Sequence, residues 1–424
     1  MTEAFLQYVW QHRLLDGPLT TVDGQPIVVE RAGELNRDAG PDFFDARLVI
    51  GGIHWAGNVE VHVKASDWNA HHHSSDEAYN NVILHVVYVN DTDIVLQNGK
   101  RMPTLKIADA IPEYVWDNYD ELISSRQPIL CSNRLKDIPD FLFHLSQDRM
   151  IVERMQRKTD DVQRILKETH GSWEETCYIL TARYFGGKTN AFPFELLAKI
   201  TPMKLAAKIK DSPLRVEALY FGQAGLLEQE FADDFPRELK EKYDLVRIAH
   251  KLNPMPGHLW KFFRIRPPSF PTLRISQFAN LVTRSSNLFS HLLETDDVKE
   301  LYGLFDVRAS DYWDTHYNFD KPVECSPKNF GKSLVNNILI NAWVPLLCYY
   351  GMAHDNQKYK DRAFSLLQQL PPESNRIVRL WKDENIRPSN AAESQALIQR
   401  YNEYCSRQGC LDCQFAFRLI KTKK

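Results

Sequence analysis

Acids and imidazoles crowd one short stretch of this chain. Asn36-Arg-Asp-Ala-Gly-Pro-Asp42 is followed by Gly57-Asn-Val-Glu-Val-His-Val-Lys64, Asp67-Trp68 and His71-His-His73. Six of the fourteen histidines (His54, His62, His71, His72, His73, His85) fall within 32 residues. Carboxylate oxygens suit Mg²⁺, Mn²⁺ or Ca²⁺, and imidazole nitrogens suit Zn²⁺, Fe²⁺ or Mn²⁺, so the expected chemistry is that of a divalent metal site. Cleaving a phosphodiester at such a site takes at least two carboxylates for a hard cation. It also takes a group that orients or deprotonates water, and a donor or cation that offsets the phosphate charge. Asp42 and Glu60 are the candidate metal ligands, provided a hairpin brings their strands together. His62 or Lys64 would position the attacking water, and His71 and His73 would complete the site or contact phosphate. Each residue also has a plainer reading. Asp42 would be a turn residue, Glu60, His62 and Lys64 a solvated strand face, and His85 a satisfied core histidine.

The elements that must carry these residues follow from periodicity. Residues 3–15 place apolar side chains at helical spacing, and Asp16-Gly17-Pro18 ends the pattern. Residues 26–30, 43–50 and 53–64 are expected strands, with Gly51-Gly52 as the hairpin turn between the last two. From Val59 onward the third strand alternates, so that Val59, Val61 and Val63 face one side and Glu60, His62 and Lys64 the other. A polar linker with a short helix over 75–80 leads to a buried strand at 82–89. A further hairpin, 94–96 with 104–107, would turn at Asn98-Gly99. Trp55 and Trp68 are expected to pack. From about Asp109 the pattern turns helical, with amphipathic segments at 148–169, 173–185, 193–208, 213–222, 236–252, 275–293, 298–305, 333–350, 357–370, 375–383 and 391–405. Proline and glycine punctuate them.

Composition sets wider bounds. The chain has 424 residues, 43% hydrophobic and 25% charged, with a formal net charge of −3. Those values fit a globular protein of two or more domains and announce no global affinity for nucleic acid, although a local basic groove would not show in the sum. The N-terminal stretch lacks the apolar core of a signal peptide. The longest apolar run, 342–350, is short of the ~18–20 residues that span a bilayer, so no membrane partner is expected. Seven cysteines, an odd number, fit a reducing, cytoplasmic setting.

Pro41-Asp42 and Glu60-Val61-His62, within a helix–three strands–helix–strand order, resemble the PD-(D/E)XK (restriction-endonuclease-like) nuclease superfamily. The resemblance implies that Asp42 and Glu60 ligate Mg²⁺ or Mn²⁺, that Val61 offers its carbonyl, and that His62 stands where the superfamily has a lysine. Histidine is no permanent cation at neutral pH, so the substitution calls for a base or ligand role, with Lys64 as a substitute charge. Longer phrases are similar to the uncharacterised bacterial family DUF2851. They include Gly33-Glu-Leu-Asn36, Ser66-Asp-Trp68, Leu84-His-Val-Val87, Glu217-Ala-Leu-Tyr-Phe-Gly-Gln-Ala-Gly225, the segment 264–274 and Gly409-Cys-Leu-Asp-Cys413. That similarity covers essentially the whole chain and implies no particular activity.

Two other groups stand out. Arg264, Arg266 and Arg274 bracket Pro267-Pro268 and Pro271, and guanidinium forks suit phosphate oxygens. The alternative is that these arginines tie a long loop to acidic helices. Cys405, Cys410 and Cys413 form C-x4-C-x2-C, which suits Zn²⁺ or, less often, an iron–sulfur cluster. A fourth ligand would come from Cys325, Cys348 or His354; otherwise these are buried free thiols. Gly186-Gly187-Lys188-Thr189 lacks the spacing and preceding strand of a phosphate-binding loop. Gly222-Gln-Ala-Gly225 is expected to let two helices approach closely, and no Gly-x-Ser-x-Gly elbow is present.

The expected architecture is an α+β N-terminal domain, residues 1–125, followed by a large all-α domain, residues 126–424. The expected function is metal-dependent phosphodiester hydrolysis on nucleic acid. The alternatives are a catalytically silent nucleic-acid- or protein-binding module and a Zn²⁺ or Fe²⁺ hydrolase of small molecules built on the histidines.

Overall fold

Strand-forming residues concentrate at the N-terminal end, and the sheet forms there. The computed structural model describes residues 1–96, 99–285 and 287–423. Helix α1 (Glu3–Gln11) is capped by the Thr2 hydroxyl. After it come β1 (Leu19–Thr20), β2 (Pro26–Arg31), β3 (Glu34–Leu35), β4 (Phe43–Ile50) and β5 (Ile53–Lys64). The one-turn helix α2 (Asp67–Ala70) and two 3₁₀ turns lead to β6 (Val82–Val89) and β7 (Thr104–Lys106). The sheet order is β1-β2-β4-β5-β6-β7, with β3 also on β4. β2, β4 and β5 are antiparallel, whereas β5–β6 and β6–β7 are parallel.

The Gly51-Gly52 turn has φ of 59° and 82°, the left-handed pair a two-residue hairpin needs. Ala46–Ile50 pair with Gly57–Ile53 in one register, but Phe43 pairs with Val59, one residue out of step. The extra residue is accommodated near Asp45, whose φ of 53° is left-handed. This bulge sets Asp42 across from Glu60 instead of Val61. A bulge at that point fixes which two acids meet.

Val59 and Val61 are fully buried in the main core, with Phe5, Leu6 and Val9 of α1 and Phe415 and Leu419 of the C-terminal helix Gln414–Lys421. Trp68, Tyr79, Val82, Ile94 and Met102 form a second, smaller cluster. Three expectations change here. The linker after β5 forms α2 and 3₁₀ turns at His73–Ser75 and Glu77–Tyr79, with no longer helix. Residues 94–96 fold back only as far as a Val95–Arg101 bridge, because β7 pairs in parallel with β6. Asn98, in the expected turn there, lies outside the described residues. Trp68 is buried, but Trp55 is 40% exposed on its strand.

The chain divides into two compact units, residues 1–146 with 400–424, and residues 147–399. A boundary near residue 125 is not where the chain divides. α3 (Glu113–Ile123) packs on the C-terminal helix, and the Asn118 amide donates to the Ile420 carbonyl at 3.2 Å. The second unit is mainly helical rather than all-α, since His316–Asn318 and Lys321–Pro322 pair as a short antiparallel ribbon, and its helices fall close to the expected segments. The exceptions are 193–208, which breaks at Thr201-Pro202, and 275–293, which forms Pro271–Arg284 and Leu288–Glu294. No helix among the described residues is long and apolar enough to cross a membrane.

Gly222 does bring two helices together. A Cβ there would lie 2.1 Å from the Tyr243 ring, between the helices Pro213–Gln223 and Asp234–His250. Gly222→Ala is expected to destabilise the second unit by about 1–3 kcal/mol, read as a lowered urea midpoint at unchanged slope.

Candidate metal centre

The site grows from three strands and one helix. Asp42 enters β4 from a loop organised by Asn36. The Asn36 amide nitrogen donates to the carbonyls of Asp38, Ala39 and Pro41, and its backbone N–H donates to the Asp42 carbonyl. Glu60 and His62 lie two residues apart on β5 and therefore share a side. His85 on β6 is the register partner of Glu60.

The two acids interlock through the backbone. Glu60 Oε2 accepts from the Asp42 N–H at 3.0 Å, and Asp42 Oδ2 accepts from the Val61 N–H at 3.0 Å. Gln7 of α1 donates to Asp42 Oδ1 at 2.8 Å. The other Glu60 oxygen, Oε1, lies 3.2 Å from His73 Nε2 and 3.4 Å from His62 Nε2. His73 Nε2 makes no aligned hydrogen bond. Glu3 of α1 adds a third carboxylate, 3.8 Å from His62 Nε2.

The imidazoles form a connected group. His62 Nδ1 meets His85 Nε2 at 2.9 Å, and His62 Nε2 meets His71 Nδ1 at 3.2 Å. Ligand atoms of His62, His71 and His73 all lie within 4.8 Å of one another. His72 between them adopts φ 62°, a left-handed conformation that reverses the chain locally. Tyr79 stacks on His73 with centroids 3.8 Å apart, and Trp68 packs on His85 and His73. The Trp68 indole N–H donates to the Ser74 hydroxyl at 3.0 Å. Rings held by packing and hydrogen bonds lose little freedom on accepting a ligand.

Burial governs the proton inventory. Glu60 is 4% exposed, and burial, then the Asp42 carboxylate, push its carboxyl up to about 9. Burial also raises Asp42 and Glu3. His62 is fully buried, and burial, then His73 and His71, bring it down to about 3. His85 falls to about 3 and His73 to about 4, again chiefly by burial. At neutral pH burial favours a protonated Glu60 beside neutral His62, His73 and His85. Neutral imidazole lone pairs and a carboxyl that a cation would ionise are the donor set that divalent metals take. With His62 Nε2 turned to a cation, its Nδ1–H would donate to His85, the usual outer partner of a ligating histidine.

Other candidate residues stay apart from this group. His54 and His72 are exposed. Lys64 is exposed, and its backbone N–H donates to the Asp67 carboxylate at 2.9 Å. Among the described residues no contact joins its ammonium to Asp42, Glu60 or the imidazoles. Arg264 and Arg266 are exposed in the second unit. Arg274 is half-buried on Pro271–Arg284, donates to Gln277 at 2.9 Å and lies over the Phe330 ring. Burial lowers it to about 10. The expected fourth ligands for the cysteine group, Cys325, Cys348 and His354, belong to the second unit. Cys131, unnoticed in the sequence, lines a cavity with Cys405, Cys410 and Cys413 in the first. Glu3 and Gln7 were also missed. Their signal was two polar residues one turn apart on a helix otherwise read through its apolar positions.

A mixed α/β unit with an acid–imidazole cluster on its central strands is the class that fold and site define. Within it the chain belongs to the family described as "Protein of unknown function (DUF2851)", whose profile matches residues 3–376. The match takes in every residue of the cluster and Cys131, and stops before Cys405. No curated protein and no solved structure matches the chain.

Proposed function

We propose that the first unit catalyses metal-dependent phosphodiester hydrolysis on nucleic acid. The observation that carries this reading is the interlocked pair Asp42–Glu60 set against His62, His71 and His73. The element order supports a restriction-endonuclease-like core: α1, the antiparallel β2, β4 and β5, a short helical crossover, and β6 parallel to β5. Pro41-Asp42 opening β4 and Glu60-Val61-His62 inside β5 agree with that superfamily's pattern. Mg²⁺ or Mn²⁺ would be held by Asp42 and Glu60, with His71 and His73 at its margin. A bound divalent cation polarises a phosphoryl oxygen and acidifies its water. His62, held neutral by burial, cannot serve as the cation that a lysine would be. It acts as a ligand or as the base that orients water.

A second reading draws on the same three imidazoles. Ligand atoms of His62, His71 and His73 within 4.8 Å of one another suit Zn²⁺ or Fe²⁺ at least as well as Mg²⁺, which favours a hydrolase of small molecules. The test is cleavage of single-stranded, duplex and branched DNA and of RNA with added Mg²⁺, Mn²⁺, Zn²⁺ or Fe²⁺, by wild type and Glu60→Ala. Nuclease activity that needs Mg²⁺ or Mn²⁺ and disappears in Glu60→Ala is the expected result. Turnover of small activated esters alone, with Zn²⁺ or Fe²⁺, selects the second reading. No turnover of any substrate leaves a binding module.

The loop that delivers Asp42 offers a milder perturbation. Asn36→Ala leaves every ligand in place but removes three amide–carbonyl bonds. It is expected to weaken Mn²⁺ binding about tenfold, measured by calorimetry, with circular dichroism unchanged.

A further inference from the structure

Four of the seven cysteines gather in the first unit. Cys405 and Cys410 begin two successive 3₁₀ turns, and Cys413 precedes the C-terminal helix. Gln408, with φ 54°, reverses the chain between them, and the Cys413 N–H donates to the Cys410 carbonyl at 3.1 Å. Cys131 comes from the segment between α3 and the 3₁₀ helix Ser132–Asp137. All four line one small cavity of about 20 Å³ with Leu130, Tyr404 and Ala416. All four are free of disulfides.

A second observation comes from Arg400. Its side chain is 1% exposed, yet among the described residues no carboxylate pairs with it. Its guanidinium lies over the Phe415 ring at 3.7 Å, donates to the Ser146 hydroxyl at 2.7 Å, and places Nη1 3.8 Å from Cys413 Sγ. Its Nε has no partner. A buried, permanently charged group without a counter-charge is costly. Anionic sulfur in the cavity would supply that counter-charge.

Size separates the two common thiolate centres. Zinc at about 2.3 Å from each sulfur would draw four sulfurs to about 3.8 Å from one another. Among the described residues, the group of three or more ligand atoms that lies within 4.8 Å of one another is His62, His71 and His73, and the cysteine sulfurs form no such group. Sulfurs spaced more widely than one zinc would hold them match the larger span of a centre of several atoms, which would fill and widen the small cavity between them.

We propose that Cys131, Cys405, Cys410 and Cys413 ligate an iron–sulfur cluster, with Arg400 as its buried counter-charge. The cluster ties residues 400–424 to the segment after α3. The proposal does not depend on the acid–imidazole site.

The test is chemical analysis of the full chain purified without oxygen, or reconstituted anaerobically with ferric iron, a thiol reductant and sulfide. Iron and acid-labile sulfide are expected in equal amounts, about two or about four of each per chain, with a visible absorbance that dithionite bleaches. Cys325→Ser, at an exposed cysteine of the second unit, keeps the full complement. Cys131→Ser and Cys410→Ser lose nearly all of it. If those variants fail to fold, the wild-type iron, sulfide and zinc contents decide alone. One zinc without sulfide, a metal-free chain with every thiol titratable, or a full cluster in Cys131→Ser overturns the proposal.

Discussion

Replacing Glu60 with glutamine is expected to weaken Mn²⁺ binding at pH 8 by at least about a hundredfold and to flatten its pH dependence. The wild-type carboxyl sits at about 9, so at neutral pH the metal must displace its proton. One displaced proton makes affinity rise about tenfold per pH unit, or about a hundredfold from pH 6 to pH 8. His62 and His73 add no such slope in that range. They titrate near 3 and 4, and their lone pairs are already available. Glutamine keeps an oxygen to accept from the Asp42 N–H, so the loop stays in place. It has no proton to lose and no charge to offer. Calorimetry in two buffers of different ionisation enthalpy reads the proton count directly. About one proton is expected from the wild type and none from the variant. A wild type that releases none would mean that Glu60 is not a ligand.

How much of this was written in the sequence differs by element. The strands 26–31, 43–50, 53–64 and 82–89 were legible because β-branched residues, alternation and a Gly-Gly turn all act locally. The gathering of acids and histidines was legible as composition, and His62, His71 and His73 do meet. The one-residue bulge near Asp45 was not. It leaves no mark in residue type, yet it decides that Asp42 faces Glu60. Glu3 escaped because the packing of its helix, and not its spacing, brings its carboxylate towards His62. Cys131 escaped for a related reason: three thiols advertise themselves by proximity along the chain, whereas the fourth arrives through tertiary structure. The arginines of 264–274 show the opposite case. Proline-stiffened basic sequence suggested a phosphate contact, and the structure pairs the Arg274 guanidinium with Gln277 and the Phe330 ring, partners that spacing alone did not announce.

The metal-free protein is expected to be most stable near pH 6.5 and to lose stability on both sides, whereas the metal-loaded protein loses it only in acid. The acid limb comes from His62, His73 and His85. Each is neutral in the folded state down to about pH 3 or 4 but takes a proton in the unfolded chain below its ordinary 6.5. Between those values the unfolded state binds more protons, so stability falls as pH falls. The alkaline limb comes from Glu60. Between its ordinary 4.5 and its folded value of about 9 the folded state holds a proton that the unfolded chain has released, so stability falls as pH rises. Each proton shifts the folding equilibrium about tenfold per pH unit. Three imidazoles against one carboxyl therefore make the acid limb the steeper. A cation at the site ionises Glu60 in the folded state as well, which erases the alkaline limb and leaves the acid one. Urea midpoints of the first unit, followed from pH 4.5 to 9 in chelator and in excess Mn²⁺, would separate the two curves. Identical curves above pH 7 would show that no cation reaches Glu60.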